Sequence, residues 1–130
     1  MTELYDTIGH GYRALGQPDP RIRRAILRAL GGASQVVNVG AGAGSYEPTD
    51  RFVVAVEPSM TMIHQRPSRS APVVQALAAE LPFRDATFDA SLAILTIHHW
   101  PNWRRGLQEL ARSARRRVVL LTWDPSTTGF

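Results

Sequence analysis

Three glycines at alternate positions, Gly40, Gly42 and Gly44, follow directly on the branched run Val36-Val37-Asn38-Val39. Removing side chains in this way lets a backbone take positive φ and approach a bulky ligand closely. A second apolar run, Phe52-Val53-Val54-Ala55-Val56, ends on an acid, Glu57. A carboxylate ending a buried strand must find hydrogen-bond partners, and ribose hydroxyls answer that need. Strand, glycine turn, strand and carboxylate, in this order, form the layout of a nucleoside-binding doubly wound half-site. Further along stand two adjacent histidines, His98 and His99. Their imidazoles titrate near neutrality and could take a proton from a nucleophile.

The elements that must position these groups are legible from pattern. Asp19-Pro20 reads as a cap and first helical residue, and Ile22, Ala25, Ile26, Ala29 and Leu30 form an apolar stripe that Gly31-Gly32 ends. Strands are expected at 35–39, 52–56, Val73–Ala76, Ala90–Leu95 and Val118–Trp123. Pro48 and Asp50 oppose a helix over 45–51, and Pro58-Ser59 opens a short helix reaching about His64. A longer helix should run from Asn102 to Ala114, burying Trp103, Leu107, Leu110 and Ala111. Phe83 and Phe88 read as core contacts of the Leu81-Pro82-Phe83 turn, and Asp89 as an acid serving backbone or a neighbouring loop. Near-continuous apolar strands alternating with helices indicate a parallel α/β sheet.

Composition narrows the function classes. The 130 residues suit one domain, and without cysteine there is no disulfide, thiol nucleophile or thiolate metal site. The four histidines lack a metal-ligand spacing, and two neighbouring rings chelate poorly, so no metal is expected. No apolar stretch reaches membrane-spanning length and no signal-peptide pattern precedes Tyr5, which places the expected location in the cytoplasm without a membrane partner. The net charge of +4 rests on arginine alone, clustered at Arg21, Arg23, Arg24 and Arg28 and again at Arg112, Arg115, Arg116 and Arg117. The first cluster reads as a solvated helix face; neither has the motif or aromatic support that nucleic-acid binding would need.

Four stretches in this order carry a family resemblance: Val36–Gly44, Val54–Ser59, Leu81–Asp89 and Leu95–Trp100. Together the chain resembles the class I S-adenosylmethionine-dependent methyltransferases, in the type 11 and ubiquinone/menaquinone-biosynthesis-like branch. The resemblance implies a Rossmann-like, doubly wound, mainly parallel sheet of about five strands in the order 3-2-1-4-5. It implies a segment 1–17 covering the cofactor and a domain 18–130 lacking the family's sixth and seventh strands. The cofactor would be S-adenosyl-L-methionine and the acceptor a small molecule. Gly40, Ala41, Gly42 and Gly44 would approach the amino-acid part of the cofactor, and Glu57 would accept from both ribose hydroxyls. Pro58, Ser59 and Met60 would lie beside the adenine, with Ala78 and Ala79 on its other side. Tyr12 would cover the cofactor, and residues from Leu95 to His99 would frame the methyl-transfer zone, with His98 or His99 as base.

Two positions depart from the family pattern: Asn38 and Leu77 stand where acids are usual, which implies weaker or differently organised cofactor binding. The early end at Phe130 leaves an apolar fifth-strand edge, for which self-association is expected. The alternative reading is a cofactor-binding or inactive fragment without the substrate-binding C-terminal part. An NAD enzyme would share the glycine turn and ribose acid, but the Leu81–Asp89 and His98-His99-Trp100 stretches fit methyltransferases better.

Overall fold

The computed structural model describes residues 18–122; Tyr12, the rest of segment 1–17, and Trp123 lie outside the described residues. Helix α1 (Pro20–Leu30) begins where Asp19 accepts the Arg21 amide at 2.9 Å and Pro20 supplies a preset φ. Then follow β1 (Gln35–Val39), β2 (Phe52–Val56), α2 (Met60–His64), β3 (Val73–Val74) and β4 (Phe88–Ile94). A 3-10 turn (Ile97–His99), α3 (Trp103–Ser113) and β5 (Ala114–Leu121) complete the described chain. The strands form one parallel sheet in the order β3-β2-β1-β4-β5, as the resemblance implies.

Successive strand residues face opposite sides, so one continuous apolar run serves two cores. On one face Ile26 and Leu30 of α1 pack on Val36, Val53, Ala90 and Leu92. On the other, Leu110 of α3 packs on Val37, Val39, Val56, Phe88 and Ala93. No helix joins β1 to β2. The irregular connection instead inserts Tyr46 into the first core, where its hydroxyl accepts the Asp19 amide at 2.8 Å.

Several boundaries and faces differ from expectation. β3 is shorter, ending at Val74, and β4 spans Phe88–Ile94 because Leu95 leaves the extended region at φ +54°. β5 starts four residues early, at Ala114, taking Arg115–Arg117 into the strand next to a register shift opposite Phe88 and Ala90. An edge strand tolerates such long charged side chains; Val118 and Leu120 are exposed on it. Trp103 and Ala111 of α3 are exposed, while Gly106, Glu109, Leu110 and Ser113 are buried. Trp103 is the first residue of its helix, at the rim of the sheet, and Arg104 stacks 4.8 Å from its ring centroid. Ala25 and Ala29 are exposed too, lining an open groove between α1 and the end of β5. Among the described residues no helix is long and apolar enough to cross a membrane.

Arginines tie the elements together at the strand N-termini. Asp89 accepts the Ser34 and Gln35 amides, the Ser34 hydroxyl and the Arg115 guanidinium, which hold its carboxyl far below the usual range. Arg117 bonds the Ala29 carbonyl, and Arg51 bonds those of Gly31 and Ala33. On the other face Arg112 reaches the Leu81 and Phe83 carbonyls, Asp85 and Glu109, while Glu109 accepts the Leu81 amide at 2.9 Å. Phe83 and Phe88 meet edge to face at 5.0 Å inside this bracket.

Arg112 also lowers the carboxyl of Glu109. The contributions of Glu109 and Asp89 are therefore complete above the ordinary carboxylate range near pH 4 and disappear as pH falls through their lowered native values. Glu109 is buried and Arg112 half-buried, and removing Arg112 leaves the acid and the Leu81 and Phe83 carbonyls without their partner, at a cost of about 2–3 kcal/mol. Arg112→Ala should thus lower the thermal midpoint by about 10 °C or more; a drop below about 2 °C would show that the aromatic contacts alone hold the turn.

Candidate functional site

The C-terminal ends of β1, β2 and β4 meet at one edge of the sheet. Gly40 opens the turn there at φ +71°, and its amide and that of Ala41 both donate to the Val56 carbonyl, at 2.8 and 2.9 Å. A Cβ on Gly40 would stand 2.4 Å from Thr96 Oγ1, so Thr96, just past the end of β4, presses directly on the glycine turn. Gly42, at φ +55°, donates its amide to Glu57 Oε1 at 2.8 Å. Gly44, at φ +91°, opens behind the turn, where a Cβ would lie 3.3 Å from the Arg66 guanidinium.

Glu57 is 7% exposed. Its second oxygen accepts the Ser59 amide at 2.9 Å, so each carboxylate oxygen holds one backbone bond. A carboxylate has about four acceptor sites, which leaves room for two hydroxyl donors. Ser59 also caps α2 by accepting the Met62 amide, and the Pro58 carbonyl accepts the Gln75 amide group. Met60 is exposed beside them.

Past β4 the backbone is strained. Leu95 sits at φ +54°, where a bulky side chain is rare and costs on the order of 1 kcal/mol or more. Its amide donates to the Leu121 carbonyl at 2.7 Å, which keeps it there. The turn that follows places Thr96 against Gly40 and lets Thr96 Oγ1 accept Trp100 Nε1 at 3.3 Å. The Trp100 ring lies on Gly106, where a Cβ would come within 2.5 Å of it. His98 and His99 stack with ring centroids 4.1 Å apart. Both ring nitrogens of His98 are buried with no partner among the described residues. Burial lowers the pKa of both imidazoles, and His98 adds to the effect on His99.

Gly40, Ala41, Gly42, Glu57, Pro58, Ser59, Met60, Leu95, His98 and His99 thus gather at one edge. Ala78 packs instead with Trp100 against the α3 core, and the Ala79 carbonyl accepts Arg105 Nε at 3.4 Å. Leu77 is exposed. Asn38 is buried and donates Nδ2 to Glu47 Oε1 at 3.0 Å, so a neighbouring acid stands beside the position where Asn38 lacks one. Glu47, its partner Arg66, and Thr96 escaped the sequence reading. The available signal was weak: an acid inside a proline-flanked connection and an arginine just before Pro67. Left-handed glycines beside a buried carboxylate with acceptor capacity to spare fit a nucleoside-bearing cofactor with a polar amino-acid arm.

A family model described as "Methyltransferase domain" matches residues 37–122. The chain belongs to this family of class I S-adenosylmethionine-dependent methyltransferases, whose cofactor is S-adenosyl-L-methionine. Similar proteins include a demethylmenaquinone methyltransferase of Mycolicibacterium gilvum, 32% identical over 99% of this chain and 62% of that one. A tRNA (carboxymethyluridine(34)-5-O)-methyltransferase of Xenopus tropicalis is 30% identical over 93% of this chain and 20% of its own length. A solved structure from Anabaena variabilis, assigned as a methyltransferase from an antibiotic biosynthesis pathway, superposes with a TM-score of 0.77 at 34% identity. That match covers 85% of this chain and 48% of the other. The chain therefore spans less than two thirds of each of these proteins.

The histidines provide a direct check. Titrated by NMR, His98 and His99 should protonate below the ordinary imidazole value near 6.5. The unfolded chain then binds the protons first, so stability falls as pH drops below about 6.5. Midpoints at or above 6.5 would contradict the half-buried, neutral pair.

Proposed function

We propose that this domain binds S-adenosyl-L-methionine at the shared edge of β1, β2 and β4 and transfers its methyl group to a small-molecule acceptor. The observation that carries the reading is Glu57, a buried carboxylate fixed beside the glycine turn with acceptor sites to spare. In this reading Gly40, Ala41, Gly42 and Gly44 approach the amino-acid arm, Glu57 takes the ribose, and Pro58, Ser59 and Met60 border the adenine. Leu95 fixes the turn that brings the histidines to the same edge.

When bound, the cofactor would supply a methyl group on a sulfonium sulfur, the carbon–sulfur bond pair staying with sulfur as the acceptor's lone pair bonds the carbon. Such a displacement depends mainly on alignment and exclusion of water. His98 or His99, neutral near pH 7, accepts the acceptor's proton; proton transfer of this kind contributes about 10²- to 10⁴-fold. A small acceptor is supported by two arginines of the C-terminal cluster, which are turned away from this edge. Arg115 and Arg117 spend their guanidiniums on Asp89, Gln35 and backbone carbonyls at the opposite edge. By its name the Xenopus relative acts on tRNA, and the Mycolicibacterium one on demethylmenaquinone.

Calorimetry should show S-adenosylmethionine and S-adenosylhomocysteine binding at micromolar concentration, with NAD inert. Glu57→Ala should weaken both by about 10- to 100-fold, the worth of one or two hydrogen bonds to a charged group. Unchanged binding in the variant, or none in the parent chain, would overturn the assignment. With methyl-labelled cofactor and a panel of small phenols, thiols and amines, substituting the active histidine, His98→Gln or His99→Gln, should slow transfer about 100-fold while leaving cofactor affinity unchanged. Binding without transfer to any acceptor would leave a cofactor-binding domain, and transfer to bulk tRNA alone would assign a polynucleotide substrate.

A further inference from the structure

Behind the glycine turn lies a buried ion pair that none of the preceding chemistry uses. Arg66, after α2, and Glu47, from the β1–β2 connection, meet at 2.6 Å with side chains only 3% and 6% exposed. Glu47 also accepts Asn38 Nδ2 from β1. Arg66 donates Nη1 to the Gly42 carbonyl at 3.2 Å and Nη2 to the Ala71 carbonyl at 3.3 Å. The Gly42 residue is thereby gripped from two sides, its amide by Glu57 and its carbonyl by Arg66.

In doubly wound nucleotide-binding units the helix that follows the glycine turn orients the turn's amides. This chain has no helix between β1 and β2. We propose that the Glu47–Arg66 pair takes over that task, a positioning element that holds the glycine turn in the conformation that receives the cofactor. The inference rests on the cofactor reading given above. The pair is poorly suited to a purely stabilising role, because burying two charges costs several kcal/mol in desolvation and is recovered only with excellent pairing. Arg66 Nε and Asn38 Oδ1 are buried without partners among the described residues. An apolar pair of similar volume commonly replaces a buried ion pair with little loss of stability, whereas it cannot bond the Gly42 carbonyl.

The double variant Glu47→Leu/Arg66→Met separates the two roles. It should stay folded, with a thermal midpoint within about 10 °C of the parent, the loss coming from the Asn38 amide group that Glu47 no longer accepts. Amide exchange at Gly42, measured without cofactor, should accelerate at least tenfold while Val37 and Leu92 in the sheet stay protected. The dissociation constant for S-adenosylhomocysteine should rise at least tenfold. A folded double variant with parental Gly42 exchange and parental affinity would overturn the proposal. So would a double variant that fails to fold, since the pair would then serve the fold itself. Failure of the parent chain to bind S-adenosylhomocysteine would remove the cofactor reading instead, while the exchange measurement would still report the pair's hold on the turn.

Discussion

Everything at this sheet edge depends on one hydrogen bond, from the Gly42 amide to the Glu57 carboxylate. It closes the gap between β1 and β2 at the point where both strands end, and it fixes the acid's orientation before any ligand arrives. Low local dielectric strengthens such a charge-assisted bond, and the same burial would make a lone carboxylate costly. The second amide, from Ser59, shares the charge and sets the start of α2. Gly40 extends the constraint to β4, since only the absence of a Cβ there lets Thr96 approach.

The two edges of the sheet are built differently. At the strand N-termini, Asp89, Arg115, Arg117 and Arg51 satisfy backbone groups of the α1–β1 turn, the β4 turn and the end of α1. At the C-terminal edge the chain carries a left-handed Leu95, an imidazole whose two nitrogens have no partner among the described residues, and a carboxylate with spare acceptor capacity. Strain and unmet hydrogen-bonding capacity concentrate where a ligand can be received, as the doubly wound architecture dictates.

Elements defined by local pattern were legible in the sequence. β1 and β2 match their expected limits because runs buried on both faces are nearly continuous in apolar residues. The start of α1 was readable from Asp19-Pro20, and the lack of a helix over 45–51 from Pro48 and Asp50. What escaped depends on distant partners. Arg115–Arg117 fell between the expected helix and strand, yet they are strand, with Arg115 and Arg117 bonding residues far away in the chain. The exposure of Trp103 follows from where the sheet ends, which helical periodicity does not encode. The Glu47–Arg66 pair joins two irregular segments across 19 positions, so no spacing announces it. At the site itself, residue types located Glu57 and the glycines. They did not disclose that Glu57 already bonds Gly42 and Ser59.

The central claim, that Glu57 and the glycine turn form the receiving edge for S-adenosylmethionine, is tested most directly by backbone NMR during titration with S-adenosylhomocysteine. The account predicts saturable shifts at Gly40, Gly42, Glu57 and Ser59, with Ser34, Gln35 and Asp89 at the opposite edge unmoved. Shifts confined to other parts of the chain, or none at millimolar ligand, would contradict it.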